Sequence, residues 1–284
     1  MKTDWSAWQH RLEVAARIEE LEKQGGEAFF SDVENDPPYS TLMPDDVDYL
    51  GEKISTRFLR FVARSLEGIL ERRIDREYQV EVHGEENLRE IKGGAIVTSN
   101  HFSRIENLAV KTAVSKAPQK RRFYKVVREG NYSMPGALGF LLKYCDTLPL
   151  SSNLRTMSKF TLSIKELLKG GAFILIYPEQ AMWWNYTKPR PYRVGAYKLA
   201  AANGVPILPC FVTMSETDKK KKNGAVQLKY TAYILPPIYP CENRPPRVNA
   251  KEMQEKNFEL CRNKYEEVYG VPLTYSCDSR KIDA

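Results

Sequence analysis

The stretch Ala172-Phe173-Ile174-Leu175-Ile176-Tyr177 constrains the fold more than any other part of the chain. Six apolar residues in succession leave a strand no polar face, so a strand here is buried on both sides. It follows Gly170-Gly171 and a helical pattern over 154–169, where Leu154, Met157, Thr161, Ile164 and Leu168 fall in register. It stops at Pro178-Glu179, where proline removes a ladder donor. A doubly covered strand needs layers above and below it. Strands are predicted over 78–82, 95–99, 123–127, 206–214 and 225–235. Helices are predicted over 4–24, 45–73, 103–116, 195–202 and 251–269, the first capped by Asp4 and the last with Phe258, Cys261, Tyr265 and Val268 on one stripe. This alternation gives an α/β fold: a central, largely buried β-sheet flanked by helices, with an N-terminal helical extension.

Gly25-Gly26 ends the first helix, and Pro37, Pro38 and Pro44 mark 29–44 as a linker. The expected organisation is an N-terminal helix and linker (1–44) followed by one domain (45–284). That domain divides into a basic amphipathic helix (45–76), a core (77–240) and a C-terminal helix and tail (241–284). Lys219 to Lys222 before Asn223-Gly224 reads as a charged hairpin tip.

The chain has 43 Lys and Arg against 36 Asp and Glu, a net charge of +7. The balance favours anionic partners: a membrane surface, a nucleic acid, a phosphorylated substrate or an acidic carrier. No nucleic-acid motif accompanies the charge, so no nucleic-acid partner is expected. The longest apolar candidate, 199–214, is broken by Asn203, Gly204, Pro206 and Pro209, and 1–25 has no apolar core, so neither a spanning helix nor a secretory signal is expected. Five scattered cysteines without a CxxC pair suit a reducing cytosol and predict no metal site. GxSxG, Walker A, GxGxxG and HExxH are absent. Any histidine chemistry must use His10, His83 or His101.

Three constellations carry possible chemistry. Asn100-His101-Phe102-Ser103-Arg104-Ile105-Glu106 follows a buried strand and opens a helix, a place where α/β proteins put their sites. His101 and Glu106 meet only if the histidine lies in the loop and the glutamate in the helix's first turn. The carboxylate then fixes the imidazole tautomer. Alternatively, Ser103-x-x-Glu106 is a capping box without chemistry. Glu179 leaves the end of the apolar strand, either into a site or into solvent. Lys188, Arg190 and Arg193 open the next helix, where cations hold an anion or simply face water.

Taken in order, Asn100-His101-x4-Glu106, Tyr177-Pro178-Glu179 and Val205-Pro206-Ile207-Leu208-Pro209 resemble the glycerolipid acyltransferase superfamily of 1-acylglycerol-3-phosphate and lysophospholipid acyltransferases. Its blocks are NHxxxxD, with Glu in some members, FPEGTRS and VPIVPV. Val82-His83-Gly84-x-Glu86-Asn87-Leu88 is similar to the family's lead-in. Arg128-Glu129-Gly130 through Pro135, Gly136 and Leu148-Pro149 is similar to its second block. The resemblance covers about 78–240. It implies a glycerol-phosphate-acyltransferase-like fold, an acyl-CoA or acyl-carrier-protein donor, a lipid hydroxyl as acceptor and no cofactor. His101 matches the general base, Glu106 the acid that orients it, and Glu179 an acceptor-binding residue. Asn100 is the first residue of the block and is counted with the substrate contacts.

The chain departs from the family where Gln180-Ala181-Met182 replaces Gly-Thr-Arg, which removes an arginine that the family uses for phosphate. Lys188, Arg190 or Arg193 stands in for it, or the acceptor lacks a phosphomonoester and is a glycolipid or aminolipid. Trp183 and Trp184 line an acyl or sugar subsite, sit at headgroup level, or pack in the core. The helix over 45–73 either lies in a membrane interface or packs on the sheet with its arginines in water. A lipid acceptor favours a cytoplasmic enzyme held peripherally on the inner membrane face. The non-enzyme alternative is a lipid-binding module that kept the fold.

Overall fold

The computed structural model describes residues 5–34, 39–220 and 226–277. The expected Asp4 cap and the Asn223-Gly224 turn lie outside the described residues. The elements are α1 (Trp5–Gln24), α2 (Ile54–Tyr78), β1 (Glu81–His83), β2 (Ala95–Thr98), α3 (Glu106–Val114), β3 (Phe123–Val127), α4 (Glu129–Tyr132), α5 (Gly136–Tyr144), β4 (Thr147–Pro149), α6 (Leu154–Lys169), β5 (Phe173–Ile176), α7 (Gly195–Asn203), β6 (Ile207–Lys220), β7 (Val226–Ile234) and α8 (Pro246–Tyr269).

The strands form one seven-stranded sheet in the order β1-β7-β6-β2-β5-β3-β4. The β6–β7 pair is antiparallel and the other pairs are parallel. The apolar run forms β5 between β2 and β3, and Phe173, Ile174 and Leu175 are buried. Alternate residues feed two cores. Ile96, Tyr124 and Ile174 pack with side chains of α6, α7 and α8. Val97, Phe173 and Leu175 pack with α3. The N-terminal segment builds a third cluster, with Val14, Ile18, Leu21 and Phe29 against Ala181 and Trp183.

Local chemistry explains the boundaries. Asn153 Oδ1 accepts from the amides of Arg155 and Thr156 at 3.0 and 3.1 Å, capping α6 where its apolar register begins. At Gly94 a Cβ would lie 2.3 Å from the Leu168 carbonyl, so only glycine lets α6 close on the start of β2. Helix α8 begins five residues before the expected Lys251 because Pro246 suits the first helical position. On α8 the expected stripe is incomplete. Cys261 and Tyr265 are buried, but Val268 is exposed.

Helix α2 differs most from expectation. Residues 45–53 are a loop, with Gly51 at φ +72°. Asp48 accepts from the amides of Glu52 and Lys53 at 2.9 Å each, which delays the helix to Ile54. The helix then runs to Tyr78, so β1 starts only at Glu81. Its buried side carries charge. Arg64 holds Asp146 through two hydrogen bonds of 2.7 and 2.6 Å, and Glu67 is bonded by Lys111 at 2.7 Å and by Lys125. Lys125 and Lys111 hold Glu67 ionised and low in pKa against its burial. The apolar residues Ile54, Phe58, Phe61 and Ile69 face outward. The alternative in which this helix packs its apolar face on the sheet is therefore not realised.

Candidate active site

Strands β2 and β5 are parallel neighbours with Thr98 opposite Ile176, so the loops after both leave the sheet at one edge. Asn257 of α8 donates to Thr98 Oγ1 and Tyr197 Oη at 2.7 Å each, which fixes the end of β2. Asn100 is 2% exposed and bonded both ways to Val212. Its Oδ1 accepts from that amide, and its Nδ2 donates to that carbonyl, at 2.9 Å each. Asn100 thus stitches the loop to β6, and its side chain has no face for a substrate.

The pair His101 and Glu106 is formed. His101 lies in the loop and Glu106 is the first residue of α3, fully buried, with its Oε1 against His101 Nδ1. The alternative capping box is absent, since the helix cap is Ile105 and no side chain bonds there. Ser103 Oγ instead accepts from the Ile105 amide at 3.3 Å. Glu106 is free to point at His101 because it does not turn back to cap the helix. With Nδ1 committed, Nε2 is the ring nitrogen left for a substrate proton.

Tyr177 completes the pair. Its ring lies 3.9 Å from the imidazole at an interplanar angle of 10°. Its hydroxyl and Glu106 Oε2 are both buried without a hydrogen-bond partner among the described residues. Burial, and then the neighbouring Glu106 charge, push the phenol well above its usual range and keep it protonated. Sequence reasoning passed over Tyr177, although its place just before Pro178-Glu179 was the available signal. Tyr177→Leu is expected to lower kcat on the order of 10–100-fold through a tilted imidazole, with the melting temperature nearly kept. Tyr177→Phe should retain most activity. Equal rates for wild type and the leucine variant would remove the ring from the site.

Glu179 lies beneath the histidine, 2% exposed. Oε2 accepts from the His101 amide at 3.1 Å and from Arg190 Nη2 at 3.0 Å, and Oε1 accepts from the Arg190 amide at 3.0 Å. Both oxygens are used by the protein, so the expected acceptor contact is replaced by a clamp. Arg190 is fully buried rather than poised for an anion. It also donates to the carbonyls of Phe29, at 2.6 Å, and Ala181, and lies 4.6 Å from the Trp183 ring. Burial lowers the Arg190 pKa and the Glu179 charge opposes that.

The remaining cations are held by the N-terminal segment. Lys188 bonds Glu22 at 2.7 Å, and Arg193 bonds Glu27 at 2.9 Å. Burial would raise the Glu22 pKa, but hydrogen bonds from Lys188, Ser276 and Tyr186 bring it below its usual value. Trp183 is fully buried, stacked on Phe29 at 5.9 Å with its Nε1 on the Ser31 carbonyl at 2.9 Å. It is core, not an open subsite. Trp184 is half-buried, with the Arg11 guanidinium 5.2 Å above it. Two further arginines, Arg104 and Arg128, lie within the quoted motifs but have no role assigned by sequence. Arg104 meets Glu34 at 3.1 Å and Arg128 meets Asp32 at 2.6 Å. Arg104, Arg128 and Arg193 follow β2, β3 and β5, so three carboxylates of one acidic strap (27–34) cover cations beyond three adjacent strand ends. The signal was an acid-rich linker in a basic protein. Gln180 adopts φ +62°, the left-handed conformation that the family's glycine at this place would favour.

Residues 79–213 match the family model described as Acyltransferase. None of the curated proteins matches the sequence. Among solved structures, the chain is similar to the 1-acyl-sn-glycerophosphate (LPA) acyltransferase PlsC of Thermotoga maritima, with a TM-score of 0.50 and 19% identity over 80% of this chain and 87% of that one. At that identity the likeness is one of fold. The matched model marks residues 79–213 as an acyltransferase domain, and the fold agrees with it.

Proposed function

We propose that the protein moves an acyl group from acyl-CoA or acyl carrier protein to a hydroxyl of a lysophospholipid of the 1-acylglycerol-3-phosphate type. The carrying observation is the His101–Glu106 pair, whose Nδ1 is committed to a buried carboxylate. Nε2 takes the acceptor hydroxyl proton as the oxygen attacks the thioester carbonyl carbon. The tetrahedral intermediate collapses, the C–S bond breaks, and His101 returns the proton to the leaving thiolate. Glu106 holds the tautomer, Glu179 and Tyr177 hold the loop and ring, and no covalent enzyme intermediate is needed. Arg104, Arg128 and Arg193 supply the anion-binding rim. Their ion pairs with the strap are partly exposed, and such pairs contribute little, about 0–1 kcal/mol each, so a phosphate competes for them.

One observation favours a second acceptor, a neutral glycolipid or aminolipid headgroup. Lys188, Arg190 and Arg193 are all already paired with glutamates. Mass spectrometry of lipids after incubation with membranes and labelled acyl thioester separates the two readings. With a phosphate acceptor, E27Q/D32N/E34Q is expected to lower the acceptor KM a few-fold and leave the donor KM alone. Labelled product without phosphate gives the second reading the lead, and no labelled product overturns both.

Peripheral attachment to the cytoplasmic membrane face is part of the proposal. No helix among the described residues is long and apolar enough to cross a membrane. The outward apolar residues of α2 suit an interface helix instead.

A further inference from the structure

Beside the outward face of α2 lies a cavity that the acyl-transfer chemistry does not use. Its volume is about 380 Å³, and Leu50, Gly51, Arg57, Arg60, Arg64 and Arg122 line it. Arg122 directly precedes β3, whereas the catalytic loops follow the opposite ends of the parallel strands β2 and β5. The length of β3 therefore separates this cavity from His101, about 16 Å at the usual rise per residue.

Its charge is only partly compensated among the described residues. Of the four guanidiniums, Arg64 alone has a carboxylate partner, Asp146, among the described residues. Arg60 is 6% exposed, and its Nη2 donates to the carbonyls of Asp48 and Tyr49 at 2.7 and 3.1 Å. Both bonds come from Nη2, and neither goes to a carboxylate. Arg122 reaches the Tyr124 hydroxyl at 3.2 Å, and the Arg57 guanidinium makes no ion pair among the described residues. Burying a guanidinium without an opposing charge is costly, and convergent arginines suit an oxygen-rich anion. Gly51 keeps the wall thin, since a Cβ there would come within 3.0 Å of Arg60 Nη1.

The surroundings identify the anion's carrier. At 3.6 residues per turn, Ile54, Phe58, Phe61 and Ile69 fall within about 80° of one another around α2. They are 83%, 65%, 68% and 59% exposed. Arg57, Arg60 and Arg64 fall within about 60°, between that stripe and the buried side. A cation row bordering an apolar stripe matches a lipid whose phosphate lies at the water boundary and whose chains lie below it. We propose that the arginine cavity beside α2 is a non-catalytic site for the phosphate of a membrane phospholipid, which docks the enzyme through Ile54, Phe58, Phe61 and Ile69. This rests on the peripheral membrane reading above.

The test is flotation of the full chain with vesicles of phosphatidylcholine alone and of phosphatidylcholine mixed with phosphatidylglycerol. R57K/R122K keeps the charge and loses the planar, bidentate donors. It is expected to weaken binding to the mixed vesicles about tenfold, with melting temperature and detergent-solubilised acyl transfer unchanged. R57Q/R122Q should lose about 30-fold, on the order of tenfold or less per arginine. F58S/F61S should abolish binding to both vesicle types. If the lysine variant binds like wild type, the built site is overturned and only diffuse attraction remains. If wild type floats with neither vesicle, both the site and the membrane reading fall. If inorganic phosphate raises the melting temperature of wild type but not of R57Q/R122Q while vesicles do not bind, the cavity belongs to a soluble phosphate and the lipid assignment falls. A solution dimer dispersed by F58S/F61S would assign the stripe to a second copy and overturn the docking.

Discussion

His101→Gln is expected to lower kcat about 10²–10⁴-fold while the protein melts as wild type does. Glutamine is a better probe than alanine. Glu106 is fully buried against His101 Nδ1, and a truncated partner would strand that carboxylate. A side-chain amide still donates to Glu106 but has no proton affinity for an alcohol. The acceptor KM should change little, because the lost interaction belongs to the proton transfer. Glu106→Gln should approach the same loss, on the order of 10³–10⁴-fold, since a neutral amide no longer fixes the productive tautomer or stabilises the imidazolium. Glu106→Asp should keep part of the rate. Turnover measured beside thermal melting decides: a folded His101→Gln protein near the wild-type rate would rule out His101 as the base.

The second large effect is on stability. Arg190→Met is expected to cost about 3–5 kcal/mol, because it leaves Glu179 as a buried carboxylate without its guanidinium. At the usual conversion this is a fall in melting temperature on the order of 10 °C. R190M/E179Q should recover part of it, since glutamine is uncharged and still accepts from the His101 amide. Activity of the single variant should fall through kcat, as the loop carrying His101 loosens. A direct phosphate contact would instead raise the acceptor KM with the melting temperature kept. A variant that melts like wild type would show that the clamp carries no weight.

How much was legible in the sequence depended on whether the signal was local. β3 (Phe123–Val127) matches its expected span because its run of Phe, Tyr and Val is local, and α6 (Leu154–Lys169) because period, cap and glycine stop agree. The His101–Glu106 pair was legible because five residues across a loop-to-helix boundary fix the geometry almost alone. The short elements α4, α5 and β4 were not, since four-, nine- and three-residue pieces carry little period of their own. The fates of Asn100, Glu179, Arg190 and Trp183 were not legible either. Each is decided by a partner far along the chain: Val212, the His101 amide, the Phe29 carbonyl and the Phe29 ring. Helix α2 misled because its apolar period is genuine but faces outward.

The buried Arg190 has a consequence for how the molecule holds together. One guanidinium satisfies Glu179 beneath the His101 loop and the Phe29 carbonyl of the N-terminal segment, with the Trp183 ring against it. The matched family segment begins at residue 79. The hydrogen-bonded unit does not: it runs through Arg190 back to Phe29, so residues 5–34 and the sheet are expected to unfold in one transition. Removing residues 5–34 would strip a buried partner from beneath the His101 loop instead of trimming an appendage.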